Sequence, residues 1–320
     1  MNISLTHVYT PLILWTLLGV VLQRWLPTWV PRLLGRSLYW VGIPLVIFSS
    51  ARGTELSAAM GIAPTATLIA LLSGLGFGLL ALKRAQQSPP LQGKNLRVTG
   101  VPMTRSPVEG SLLLTSMLGN AGFVGLAIVP SLLEPEFKGL PAFYAVTQSA
   151  FGTYGIGALV GNYYSDRPSK HPWWGQLKKL ATVPALWSLA IGILTQPVDL
   201  PFFVPQTISY VKPIISPCAF VLMGIRLAGL TRWQHIKLAL LPTAIKMLAV
   251  PLLVFSLLSL FPVSNQARLG MVLMAGMPSA FSCLILAEEY NLDRAVASGA
   301  IALSTACLLV MLPFWVGLLG

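Results

Sequence analysis

Ten mostly apolar stretches of 15 to 25 residues alternate along the chain with short polar connections, at 8–23, 37–51, 62–82, 110–133, 140–164, 176–196, 205–226, 236–260, 267–289 and 295–318. Each is close to the ~20 residues that an α-helix needs to cross a bilayer. The helices of a water-soluble protein would carry a charged face, and these stretches carry almost no charge at all. The pattern predicts an all-α integral membrane protein of ten transmembrane helices.

Two of the stretches are interrupted at their centres. From Leu269 to Ala287 no residue is charged, and Pro278 is the tenth of those 19. It stands in Gly276-Met277-Pro278-Ser279 and deprives the carbonyl of Met274 of its helical donor. The run from Gly110 to Leu133 is uncharged over 24 residues and holds Gly119-Asn120-Ala121-Gly122, then Gly125, near its middle. Glycine weakens a helix, and an Asn in lipid needs a partner. Gly119, Gly125, Gly276 and Pro278 are therefore the expected helix-break residues. A broken helix is stable at membrane depth where the break is buried in protein or lines a cavity. Pro278 is either a tolerated kink or the place where a ligand sits.

Asn120 and Pro278 lie 158 positions apart, close to half of the 320 residues. Leu14-Trp15-Thr16-Leu17 in the first stretch is echoed by Leu186-Trp187-Ser188-Leu189 in the sixth. Together these predict two five-helix repeats, 1–165 and 176–320, joined by a cytoplasmic connection at 166–175. Five is odd, so the second repeat enters the membrane inverted. That is the plan of secondary transporters, in which paired interrupted helices mark a site at the midplane.

Composition agrees with the pattern. Hydrophobic residues make up 55% and charged residues only 9%, where a soluble chain has about 25% charged; the mean hydropathy is +0.75. The net charge of +12 does not indicate a nucleic-acid partner, because its placement has another cause. With the N-terminus outside, the inner connections hold 16 of the 21 basic residues, and the outer ones hold only Arg52, Lys138, Lys212 and Arg268. The positive-inside rule then places both termini on the non-cytoplasmic side, for a multi-pass protein of a bacterial inner membrane. The basic connection at 83–109 is read as a solvated cytoplasmic loop, with contact to anionic headgroups as the alternative. Cys218, Cys283 and Cys307 have no metal-like spacing and read as small buried hydrophobes. No metal site and no cofactor are expected.

The segment from Gly276-Met277-Pro278-Ser279 through Ala287-Glu288-Glu289-Tyr290-Asn291 to Leu303-Ser304-Thr305 resembles the auxin efflux carrier family, whose bacterial members look like small organic-anion permeases. Asn120, Gly122-Phe123 and Gly125-Leu126 match that family's fourth span, and Lys246 followed by Pro251, and Gly224, are also similar to it. The resemblance implies the fold of the bile-acid symporters. In that fold spans four and nine unwind and cross beside the substrate, and a scaffold group and a moving group of helices alternate access. Two positions depart from the family. Ala127 stands where a proline is expected, so the fourth-span break rests on glycine. Gln148 stands where many relatives carry an acidic residue, which speaks against carboxylate-based proton coupling.

The residues available at the crossing point to an anion. All nine acidic residues fall at span ends or in connections. Half-helix N-termini aimed at the midplane carry partial positive charge and free N–H groups. Asn120, Ala121, Gly122, Gln148, Lys246, Pro278, Ser279 and Ser282 are the candidate substrate-binding residues. Each has a plainer reading. Lys246 is a counter-charge for a carboxylate or a cap on carbonyls of a neighbouring helix, Gln148 a ligand or an interhelical hydrogen bonder, and Asn120 a ligand or a packing amide. The expected function is a secondary transporter moving a small organic anion, with a carboxylate the expected substrate; the alternative is a sodium-coupled symporter of the bile-acid type. An integral-membrane enzyme would need acid, base or metal groups that are scarce here, and a receptor would leave the paired breaks unexplained. The expected partners are the organic anion and the lipid bilayer, with a homodimer as a candidate assembly.

Overall fold

A computed structural model describes residues 6–27, 29–53, 61–87, 106–165, 172–229 and 236–319. The acidic Glu55 and Asp166, the basic Lys94, Arg97, Arg105, Arg167, Lys170 and Arg232, and most of the 83–109 connection lie outside the described residues. Within them the protein is helical. The helices are α1 (Thr6–Leu22), α2 (Trp29–Arg52), α3 (Ile62–Gln87), α4 (Pro107–Met117), α5 (Ala121–Leu132) and α6 (140–164), followed by α7 (Pro172–Ala181), α8 (Pro184–Leu194), α9 (Phe203–Gly229), α10 (Lys237–Leu258), α11 (Asn265–Ala275), α12 (Phe281–Glu289) and α13 (Arg294–Leu319). The only extended pairing among the described residues is one antiparallel bridge, Gly119 with Ser279.

Five of these helices, α2, α3, α9, α10 and α13, are each long and apolar enough to cross a membrane, and α7 with α8 makes a sixth if the bent pair is counted as one. The difference from ten spans has physical reasons. The fourth and ninth stretches are each cut into two half-helices, α4 with α5 and α11 with α12. α1 is only 17 residues long. α6 is diluted by small and polar residues from Gln148 to Gly157, where it winds as a π-helix. The sixth stretch is not one straight span: it bends by 47° at 182–183, where Pro184 opens a new helix. α2 begins at Trp29, eight residues before the expected start at 37, so Arg32 and Arg36 ride on its first turns.

Helix contacts are made through small residues. A Cβ built on Gly224 of α9 would lie 2.0 Å from the Thr16 carbonyl oxygen of α1, and one on Gly19 would lie 2.2 Å from that of Val221. Close backbone approach of this kind is how helices associate in lipid, where apolar contact with a neighbouring helix gains little over contact with the tails. α8 meets α2 similarly, with Gly192 set against Ala51, and Gln196 Nε2 donates to the Ala51 carbonyl at 2.7 Å. The remaining helices surround the two breaks. α3 packs on α4 and α6, α10 on α11 and α13, α4 on α13 and α11 on α6.

The ends of the half-helices are capped locally. Ser106 and Glu109 form a capping box at the start of α4, which accounts for the burial of that carboxylate. Asn291 takes a positive φ of 54° after α12, and Leu292 N–H reaches back to the Ala287 carbonyl at 2.8 Å. This is a left-handed stop of the kind that Asn tolerates.

Candidate functional site: the crossing of two broken helices

α4 ends at Met117 and the chain runs extended through Leu118. α11 ends at Ala275, and Gly276 caps it, its N–H bonding the Val272 and Met274 carbonyls. The carbonyl of Met274, deprived of its partner by Pro278, is thus taken up by the turn. The two unwound segments pass antiparallel. Asn120 N–H donates to the Pro278 carbonyl at 2.7 Å, and Ala280 N–H donates to the Leu118 carbonyl at 2.9 Å. The donors and acceptors that each helix loses at its break are supplied by the other, which is how irregular backbone is satisfied away from water.

Side chains from the surrounding helices complete the crossing. Gln148 on α6 donates from Nε2 to the Gly119 carbonyl. Lys246, fully buried on a π-turn of α10, donates from Nζ to the Ala275 carbonyl at 2.7 Å. That carbonyl lies at the C-terminal end of α11, where partial negative charge collects. Lys246 also lies against the other break: a Cβ built on Gly119 would stand 2.8 Å from its Cε and 2.9 Å from its Nζ. Ser279 is fully buried too. Its Oγ donates to the Thr115 carbonyl at 2.8 Å, and its N–H bonds Ser304 Oγ on α13 at 3.0 Å. Neither polar group of Ser279 faces open space, and the helix end begins later than Ser279, with Ala280 as N-cap of α12.

The remaining expected site residues divide into two sets. Asn120 is only 5% exposed; its Oδ1 accepts from Phe123 N–H at 3.3 Å, and its amide nitrogen has no partner among the described residues. Ala121 is buried, while Gly122 and Ser282 are half-buried. Gly122 lines an apolar pocket between α2, α5 and α9. Gly125 corrects the expectation for the break, since it lies inside the helical winding after Asn120. Its missing side chain gives room to Met274, whose Sδ would be 2.8 Å from a Cβ there. Gly119, Gly276 and Pro278 do lie at the breaks.

One residue of this region was not singled out by the sequence. Arg226, on the last turns of α9, holds its guanidinium 4.8 Å from the centre of the Phe281 ring and 5.9 Å from that of Phe123. Phe123 follows the first break and Phe281 the second. Counted along the sequence, Arg226 is one more basic residue at an inner span end, and nothing in its neighbours says that the side chain turns inward.

No carboxylate stands at the crossing among the described residues. Glu109, Glu134, Glu136, Asp199, Glu288, Glu289 and Asp293 are at helix ends or in turns. Glu289 pairs with Lys179 at 2.5 Å and Glu288 with Arg294 at 3.6 Å.

Comparison with known proteins gives this geometry a setting. Residues 172–316 match the family described as Membrane transport protein. An uncharacterized transporter of Methanothermobacter thermautotrophicus is 24% identical over 283 residues, 88% of this chain and 87% of its own length. An uncharacterized transporter of Methanocaldococcus jannaschii is 24% identical over 212 residues, 64% of this chain and 67% of its own. These matches support a membrane transport protein. The matched segment of this transporter includes α11, α12 and Lys246, so one of the two broken helices and the lysine beside it fall within the part shared with the family. Its relatives are transporters by description, not enzymes, and its apolar helices are those of a multi-pass membrane protein.

Proposed function

We propose that the protein is a secondary transporter that moves a small organic anion, a carboxylate by preference, across a bacterial inner membrane by alternating access. The observation that carries this reading is the antiparallel crossing of two broken helices at Gly119 and Ser279 beside a fully buried lysine. A buried ammonium with no carboxylate near it among the described residues leaves net positive charge in a low-dielectric region, and an anion compensates such charge.

The inverted repeat is supported by how the helices pair. Halves of five helices at 1–165 and 176–320, joined by 166–175, make α1 on α9 correspond to α8 on α2. They also make α3 on α6 correspond to α10 on α13, and α4 on α13 correspond to α11 on α6. In this reading α4 with α5 and α11 with α12 are the fourth and ninth of ten spans. The basic residues place both termini outside.

The sodium-coupled alternative is disfavoured by the same bonds. The carbonyls of Gly119 and Ala275, which unwinding exposes, are already engaged by Gln148 and by the Lys246 ammonium. A cation there would meet a like charge. Uptake of mono- and dicarboxylates into membrane vesicles, with Na⁺ replaced by choline, tests both parts. Carboxylate uptake that persists in choline is the expected result. Uptake lost in choline returns the sodium-coupled reading, and no uptake of any carboxylate overturns the anion assignment.

A further inference from the structure

The polar groups of the crossing itself are mostly spent on the chain, which raises the question of where a substrate carboxylate would be held. Lys246 and Ser279 are fully buried and bonded to backbone, and Gln148 is bonded to Gly119. Arg226 differs from them. Its guanidinium makes no hydrogen bond or ion pair with any described residue; it lies against two aromatic rings and against Gly35 of α2, where an added Cβ would stand 2.9 Å from its Nη2. An arginine over rings keeps its in-plane N–H donors unused, and those donors match the two oxygens of a carboxylate.

The surroundings say what the rest of that ligand would be. Ile215, Ala219, Leu222 and Arg226 recur at helical spacing along one face of α9. The upper part of that face, with Ser216, forms one wall of the apolar pocket whose other walls are Leu38 and Val46 of α2 and Gly122 and Phe123 of α5. Phe123 belongs both to the pocket and to the contact with Arg226. Its ring is the looser of the two on Arg226, at 5.9 Å against 4.8 Å for Phe281. Asn120, whose amide nitrogen has no partner among the described residues and whose Oδ1 caps Phe123 N–H, is adjacent. The arginine is on α9, whereas both rings follow the breaks. A ligand bound here would thus bridge the helices that pack around α9 and those that form the crossing.

We propose that Arg226 is the anion anchor of this transporter, and that the substrate is a small monocarboxylate whose apolar body parts α2, α5 and α9 at the pocket between them, which in this conformation has room for little more than a water. The carboxylate takes the guanidinium in place of the Phe123 ring, and Phe281 remains stacked beneath it. This rests on the organic-anion reading above and gives that reading a residue and a substrate shape.

The test uses the full chain purified into nanodiscs of zwitterionic lipid, with thermal stabilisation by benzoate and hexanoate compared with that by benzamide and hexanamide. The acids are expected to stabilise the protein at concentrations at least about tenfold below the amides, since a charge-assisted hydrogen bond contributes roughly 1.5–3 kcal/mol. Arg226→Gln should abolish that preference, Arg226→Lys should retain part of it, and Ala219→Phe should block the acids with Arg226 intact. An acid preference unchanged in Arg226→Gln overturns the anchor while leaving transport of anions standing. So does a loss of equal size for acids and amides. If succinate alone binds the unmutated protein, the monocarboxylate shape is wrong; if no carboxylate binds, the organic-anion reading itself fails. A repeat in nanodiscs containing anionic lipid identifies the other oxyanion that Arg226 could take, a lipid phosphate. Acid binding unaffected by that lipid supports the proposal, and acid binding competed away by it overturns it.

Discussion

Lys246 and Gly119 depend on each other. The lysine side chain fills the space that any larger residue at 119 would need, and in that position its ammonium closes the C-terminal end of α11. Gly119→Ala is therefore expected to displace the ammonium from the Ala275 carbonyl and to destabilise the protein by about 1–3 kcal/mol, the usual range for overpacking; thermal unfolding of the purified mutant checks this. Lys246→Met separates the lysine's two roles. Removing a buried charge offsets the loss of one hydrogen bond, so the melting temperature should stay close to that of the unmutated protein while carboxylate uptake falls more than about tenfold. Uptake that survives with a lowered melting temperature would make Lys246 a cap and nothing more. The sequence located this lysine because it is the one basic residue deep inside an apolar stretch. It could not say which way the charge is spent, since the partner is a carbonyl 29 residues away. Arg226 was illegible for the opposite reason: it sits at a span end, where basic residues are ordinary.

At the scale of elements, the breaks were legible because glycine, proline and a central Asn are rare together in an uncharged run. Their mutual hydrogen bonding was not legible, because it is set by how α4 and α11 meet. Pro278→Ala restores a backbone donor and raises helix propensity. If α11 then extends toward α12, the bond from Asn120 N–H to the Pro278 carbonyl is lost. Transport should fall while thermal stability holds; unchanged transport would show that the break is a kink of no functional consequence. The contact between α1 and α9 makes a separate prediction. Gly224→Val would place carbon where the Thr16 carbonyl oxygen now stands, and yield and stability should both collapse. Ala in place of Gly317, where a Cβ meets nothing, should be neutral in the same expression assay. Hydropathy does not mark the bend between α7 and α8; Pro184, which starts the second helix, does.

At the scale of the whole molecule, α1, α2, α8 and α9 pack with one another, and the remaining membrane helices gather around the crossing. Arg226 and the apolar pocket lie where these two groups meet. Alternating access by relative movement of the groups would open that boundary first to one side and then to the other. The proposal that both termini lie outside predicts that a reporter fused after Gly320 is active only on the non-cytoplasmic side. Activity in the cytoplasm would reverse the orientation, though not the crossing. The most direct measurement is thiol labelling at Ser282, half-buried on the first turn of α12. In a chain whose own three cysteines are replaced by alanine, Ser282→Cys is exposed to a membrane-impermeant reagent from each side of the membrane in turn, with and without a transported carboxylate. The account predicts modification from both sides and protection by the carboxylate. Labelling from one side alone, indifferent to the carboxylate, would contradict alternating access at the crossing.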